Sequence, residues 1–237
     1  MKENGSKISQ YRKLCCEAEL PLTLQKVEEA IKNRMAVING EFESGFELIK
    51  KYPRSVTFFG SSRFTEDNEY FKRAAELSAR IVKELNYAVV SGGGPGIMEA
   101  ANKGAFEAGG DSLGLIIKLP EEFPANKYLT DFREFSFFFS RKVMLSFSAE
   151  TYLFFPGGFG TMDELFEIVT LVQTKKIPKV PIILVGKKHW DKVDGFIRET
   201  LLKDINSIDE EDMKIYKIVD SDDEIIEIIK KAPLRKE

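Results

Sequence analysis

Hydrophobic positions along the chain follow two rhythms. Between Leu22 and Lys50, residues Leu24, Val27, Ala30, Ile31, Met35, Ile38, Phe42, Phe46 and Ile49 recur every three or four positions, the period of an amphipathic helix. Gly40 and Gly45 are points where that helix would divide in two, and the whole is expected to form a cover packed on a sheet. Beyond Pro53, short apolar runs alternate with helical stretches. The runs Val56–Phe59, Tyr87–Val90, Leu113–Ile117, Glu134–Phe138, Thr151–Phe155, Val180–Val185 and Ile215–Val219 read as strands. Helices are expected over 68–85, 97–108, 140–149, after Gly160, over 189–203 and from Ser221 onward, where Ser221-Asp222-Asp223-Glu224 forms a capping box. Gly109-Gly110 supplies a left-handed helix end, while 121–129 and 208–214 read as surface loops. The alternation predicts an α/β fold: a Rossmann-like, doubly wound parallel sheet with helices on both faces. Residues 1–50 are then an N-terminal helical arm packed on the core, with 1–20 only weakly patterned, and 51–237 a single domain.

Composition narrows the partners. The 237 residues carry a formal net charge of −3, with a pI near 5.6, which argues against a basic nucleic-acid footprint. A small molecule or another copy of the chain is the expected partner. Cys15 and Cys16 are adjacent and the only cysteines, so no disulfide framework is expected. The single histidine, His189, excludes a His-rich metal cluster. No leader and no membrane-spanning run is apparent, and a soluble cytoplasmic protein is expected.

Chemistry concentrates in three loops at strand ends: Gly60-Ser61-Ser62-Arg63, Gly92-Gly93-Gly94-Pro95-Gly96 and Gly157-Gly158-Phe159-Gly160-Thr161. In open α/β sheets, ligands bind beyond the carboxyl ends of strands, so these loops are expected to line one crevice. G-x-G-x-x-G fails because Ile97, Glu99 or Asp163 takes the last glycine position, and no P-loop exists. A monophosphate held by a helix N-terminus is what remains, with Arg63, Arg141 or Lys142 adding charge-assisted bonds and no cofactor or metal required. Glu164 has two readings. Thr161-Met162-Asp163-Glu164 is itself a capping box, yet Asp163 and Glu164 together are more acid than a cap needs. Arg141-Lys142 stands at a helix start, which disfavours cations, so an anion or carboxylate is expected beside it.

Taken together, Ser91-Gly92-Gly93-Gly94-Pro95-Gly96-Ile97-Met98-Glu99-Ala100-Ala101-Asn102, Arg141-Lys142 and Pro156-Gly157-Gly158-Phe159-Gly160-Thr161-Met162-Asp163-Glu164 resemble the Lonely Guy family of cytokinin riboside 5′-monophosphate phosphoribohydrolases, also labelled "lysine decarboxylase-like". The likeness covers about residues 40–200, and Gly60–Arg63 with Leu119–Glu122 look like its longer bacterial branch. The resemblance implies that Arg141 and Glu164 are catalytic, and that Gly157, Gly158, Phe159, Gly160 and Thr161 hold the nucleotide phosphate. It also implies roles for Thr170 and for Glu122, with Glu121 as the alternative. Ser62, Arg63, Gly93, Gly94, Met98, Lys142 and Asp163 complete the expected substrate contacts; Asp163 stands where many members carry glutamate. A homodimer, or higher homo-oligomer, is implied, with the site near the subunit boundary. The apolar residues Val143, Met144, Leu145 and Phe147 suit such burial, though a core helix reads the same way.

The expected reaction is hydrolysis of the N-glycosidic bond of an AMP-like, N6-substituted purine riboside 5′-monophosphate, giving free base and ribose 5-phosphate. Glu164 would stabilise charge on the ribose and activate water, and Arg141 would keep it ionised. One alternative is a nucleotide or molybdenum-cofactor carrier on the same fold, without turnover. A pyridoxal-phosphate decarboxylase finds no signature for its Schiff-base lysine. A broader nucleotide nucleosidase of salvage type shares all of these motifs.

Overall fold

The computed structural model describes residues 24–119 and 125–234. A long helix α1 (Leu24–Lys51) precedes β1 (Ser55–Phe59), α2 (Glu69–Leu85), β2 (Ala88–Ser91), α3 (Ile97–Glu107) and β3 (Ser112–Ile117). Next come β4 (Asp131–Phe135), α4 (Phe138–Ser146), β5 (Thr151–Phe154), α5 (Phe159–Gln173), β6 (Ile182–Leu184), α6 (Lys187–Phe196), β7 (Tyr216–Ile218) and α7 (Asp222–Lys231). The strands form one seven-stranded sheet in the order β4-β3-β2-β1-β5-β6-β7, with every pairing parallel. This is the doubly wound Rossmann-like architecture expected from the alternation of strands and helices.

Side-chain alternation along the strands builds two cores. Val56, Phe58, Leu153 and Phe155 pack with α2, α3 and α7 on one face. Phe59, Tyr152, Phe154 and Leu184 pack with α1, α4, α5 and Trp190 of α6 on the other. Strands buried on both faces read as unbroken apolar runs, which is why they were legible. The chain winds from β1 out to β4 and then crosses back to β5 on the other side of β1. The topological switch point therefore lies between β1 and β5.

Several expectations need correction. Gly40 and Gly45 do not divide α1, which is one continuous helix. Only its second half is packed: Leu48 is buried, whereas Ile31, Met35 and Phe46 are exposed, so the arm is not a cover along its length. The fourth strand ends at Phe135 rather than Phe138, because α4 begins at once from an extended Phe137. Helix α6 starts at Lys187, two residues early, since the Asp220 carboxylate accepts the Gly186 and Lys187 N–H groups, each at 3.0 Å. The helix expected to reach Lys203 passes into a π-helical turn over Ile197–Asp204, and the 208–214 loop contains a 3-10 turn with Met213 buried. Met144 and Leu145 belong to this chain's own core, while Phe147 is exposed. Residues 1–20, Cys15, Cys16, Glu121 and Glu122 lie outside the described residues.

Candidate active site

Loops leaving β1, β2 and β5 meet at the switch point, and Ser61 joins them. Its N–H donates to the Pro156 carbonyl and its own carbonyl accepts the Ile97 N–H, both at 3.0 Å. One residue thus ties the β1 loop to both glycine turns. Gly96 has a φ of +72°, and a Cβ there would stand 2.7 Å from the Ser62 backbone, so only glycine fits. At Gly157, a Cβ would lie 2.6 Å from Thr161 Cβ and 3.0 Å from Ser61 N.

Helix α5 starts from this joint. Its N-cap is Gly158, with no side-chain cap, and its first turn contains no acidic residue. Gly158 and Gly160 face open space, and Phe159 is 97% exposed. The N-terminus therefore presents backbone amides and the positive end of the helix dipole without a carboxylate of its own.

This start also removes the capping-box reading of Glu164. Thr161 is not the N-cap but a buried residue inside the helix, so no Thr161–Glu164 capping box forms. Glu164 is the sixth helical residue, in the second turn rather than the first. It is only 7% exposed, its Oε2 has no hydrogen-bond partner among the described residues, and Oε1 lies 3.8 Å from Arg141 Nη1. Burial raises its pKa to about 7, against the lowering effect of Arg141. Glu167 and Asp163 add to the rise and Lys142 opposes it. Arg141 was expected to keep this carboxylate ionised; desolvation outweighs the attraction.

Arg141 sits in the first turn of α4 with its side chain only 12% exposed, and this desolvation pulls its pKa below the ordinary value while Glu164 opposes the shift. Its Nε donates to the Leu115 carbonyl of β3 at 2.7 Å. The guanidinium lies on the bare backbone of Gly92, where any side chain would overlap it and stand 2.6 Å from Met98 Sδ. Gly93 and Gly94 are pinned from outside: the Asn126 N–H donates to the Gly93 carbonyl at 2.9 Å and its amide to the Gly94 carbonyl at 3.2 Å. Asn126 in turn bonds buried Asn102, which also bonds Ser91 and Ser112.

The structure thus gathers Gly93, Gly94, Met98, Arg141, Gly157, Gly158, Gly160, Thr161 and Glu164 at one corner. Lys142 is held at 2.9 Å from Asp163 and 3.1 Å from Glu167, so the carboxylate expected beside the basic pair is present and Lys142's charge is engaged. Ser62 and Arg63 are exposed on the β1 loop. Thr170 is exposed and lies about 120° around α5 from Glu164, so one chain does not bring the two together. Ser61 and Gly92 were expected in crevice-lining loops but given no role of their own, and Asn126 and Glu167 went unnoticed. Glu167 alone had a signal, being three residues from Glu164 on the same helix face; the others act mainly through backbone or long-range contacts. A separate hollow of about 490 Å³, lined by Lys175, Lys176, Lys179 and Asp212, lies at the far end of α5.

Fold and site define a Rossmann-like α/β protein with a buried carboxylate–guanidinium pair beside an uncapped helix N-terminus. Residues 98–229, more than half of the chain, match the family described as "possible lysine decarboxylase", and the chain belongs to that family. Its curated relatives include two Arabidopsis thaliana cytokinin riboside 5′-monophosphate phosphoribohydrolases. LOG1 is 28% identical over 64% of this chain and 71% of its own length, and LOG7 is 26% identical over 69% and 72%. The Lonely Guy resemblance is thereby borne out. Among solved structures, the molybdenum cofactor carrier protein of Chlamydomonas reinhardtii aligns with a TM-score of 0.57 at 18% identity, over 76% of this chain and 97% of that one. The molybdenum cofactor binding protein of Rippkaea orientalis aligns at 0.52 and 20% identity, over 74% and 93%. These two show the shared fold. No helix among the described residues is long and apolar enough to cross a membrane.

Proposed function

We propose that this protein hydrolyses the N-glycosidic bond of a nucleoside 5′-monophosphate, an N6-substituted purine of the cytokinin type being the leading substrate. The observation that carries the reading is Glu164: a buried carboxylate with one oxygen unpartnered among the described residues, 3.8 Å from a largely buried guanidinium, one and a half turns from an open helix N-terminus. Amides of Phe159, Gly160 and Thr161 hold the phosphate dianion, and that remote binding aims the ribose at Glu164. As the C1′–N bond lengthens, positive charge builds on the ribose. Ionised Glu164 stabilises it and takes a proton from water; hydroxyl adds to C1′ and hydrogen goes to the departing nitrogen. Arg141 holds the carboxylate and the sugar in register, with Lys142, Asp163 and Glu167 bracing the same turn.

The phosphoribohydrolase names of the relatives support this reading. A homodimer is part of it: exposed Ile31, Met35 and Phe46 of α1 lie on the same side of the sheet as exposed Phe138, Phe139 and Phe147 of α4, and Phe46 meets Phe147 edge-on at 5.9 Å. A second chain on this face would bring outside residues, Thr170's neighbours included, towards the corner.

Incubation with AMP, N6-isopentenyl-AMP and the matching nucleosides, followed by chromatography, tests the proposal. Free base plus ribose 5-phosphate from monophosphates alone is expected. Turnover of nucleosides but not monophosphates contradicts the phosphate anchor, and tight binding with no product favours a carrier.

A further inference from the structure

We propose that Glu41, on α1, is a positioning residue for Arg141: it brackets the start of α4 from outside and fixes the turn that aims the guanidinium at Glu164. The proposal rests on the reading that this pair does the chemistry.

Helix α4 has an awkward beginning. Its N-cap is Phe137, which offers no side-chain cap, and its first turn carries Arg141, with Lys142 next, where the helix dipole disfavours cations. A hold on this start comes from far away in sequence. Glu41 Oε1 accepts the Ser136 N–H at 2.5 Å, and Oε2 accepts the Ser140 hydroxyl. Ser136 precedes the N-cap and Ser140 is the third helical residue, so one carboxylate brackets the N-cap and ties the extended entry to the first turn, while its negative charge faces the positive end of the helix. Ser140 is bonded directly to Arg141 in the chain, so the hold on its hydroxyl is a hold on the backbone that projects the guanidinium.

The rest of α1 serves this contact. Residues 28–37 are all exposed, and the first buried side chain along the helix is Glu41 itself, at 7%. One turn later, Gly45 lets the helices close: a Cβ there would stand 2.7 Å from Met144 Cγ and 3.3 Å from Phe135 Cζ. Leu48, another turn on, is 1% exposed. An apolar residue at position 41 would serve mere coverage, whereas a carboxylate bonding both sides of the N-cap serves alignment. Residue 41 also lies outside the 98–229 family match.

Glu150 provides a matched control. It is similarly buried, at 4%, and accepts the Ser55 N–H at 2.7 Å, but at the start of β1, the opposite end of that strand from the site. The experiment compares full-length Glu41→Gln, Gly45→Ala, Ser140→Ala and Glu150→Gln. It reads Tm, kcat and KM for AMP, and the Glu164 carboxyl titration followed by carbon-13 NMR and assigned with Glu164→Gln. Withdrawal of Arg141 and Lys142 leaves Glu164 facing Asp163 and Glu167, so its midpoint should rise by about half a unit or more in Glu41→Gln and Gly45→Ala. Their kcat should fall roughly ten- to hundredfold while KM stays within about threefold, because the phosphate turn stands on α5. Ser140→Ala, which loses one bond only, should move both in the same direction by less. Glu150→Gln should lower Tm without moving midpoint or kcat. Folded Glu41→Gln and Gly45→Ala proteins with a wild-type midpoint and kcat would overturn the proposal, as would Glu150→Gln moving both equally. If the wild type shows no hydrolase activity yet the Glu41→Gln midpoint still rises, the hydrolase reading fails and the positioning role stands.

Discussion

Helices α5 and α7 both carry a Ser/Thr-x-x-Glu pattern near their starts and use it in opposite ways. Ser221-x-x-Glu224 behaves as its pattern says: the Ser221 hydroxyl accepts the Glu224 N–H at 3.3 Å, Asp222, Asp223 and Glu224 fill the first turn, and Glu224 reaches out to Lys217. Thr161-x-x-Glu164 lies three residues too deep. The glycine turn starts α5 at Phe159, so Thr161 is inside the helix and Glu164 is carried round to the buried side. In α7 the Ser221 hydroxyl caps the helix N-terminus and three carboxylates stand in its first turn. In α5 that end has no acid and no cap, and the displaced glutamate waits beside Arg141. A terminus left open, next to a carboxylate whose burial costs stability, is what the proposed phosphate corner requires and a structural cap does not.

The largest effect should come from Glu164→Gln. Base release from the monophosphate is expected to fall by about three orders of magnitude or more, with circular dichroism and Tm reporting an intact fold. Retained turnover would remove Glu164 from the chemistry. Next is pH. With a midpoint near 7, kcat/KM should drop about tenfold per unit on the acid side, as protonation removes the ionised form. Stability carries the opposite signature. The folded state holds a proton that the unfolded chain gives up from about pH 4.5, so Glu164 lowers stability as pH rises from there to about 7, by at most about 3 kcal/mol. Urea unfolding of the wild type against Glu164→Gln across this range should show the gap changing in that sense.

A third change makes α5 resemble α7. Gly160 faces open space, so Gly160→Asp fits and places a carboxylate in the first turn. KM for the monophosphate should rise by roughly tenfold while kcat changes less, because the added charge opposes the phosphate and not the bond-breaking step. Smallest is Ser221→Ala, a true cap removal, which should cost about 1 kcal/mol in denaturant unfolding and leave turnover alone.

The contrast also shows what a sequence discloses. Strand runs such as Val56–Phe59 and Thr151–Phe154, buried on both faces, announced the parallel sheet, and the loops after them announced the corner. Local patterns misled where two signals competed: the capping box at Thr161 against the glycine turn, and the Phe135–Phe139 run against the helix that begins within it. Contacts distant in sequence left no trace. Glu41 reaches Ser136 across 95 residues, and Ser61 works through backbone N–H and carbonyl groups that any residue would supply. The raised pKa of Glu164 was likewise invisible, since it depends on how completely the fold excludes water.

The central claim is that the open end of α5 grips a phosphate and aims the ribose at Glu164. The most direct measurement is a crystal structure of Glu164→Gln with AMP. The account predicts phosphate oxygens on the amides of Phe159, Gly160 and Thr161, with C1′ next to residue 164 and the Arg141 guanidinium. A nucleotide bound elsewhere, such as the lysine-lined hollow at the far end of α5, or residue 164 turned away from the ribose, would contradict it.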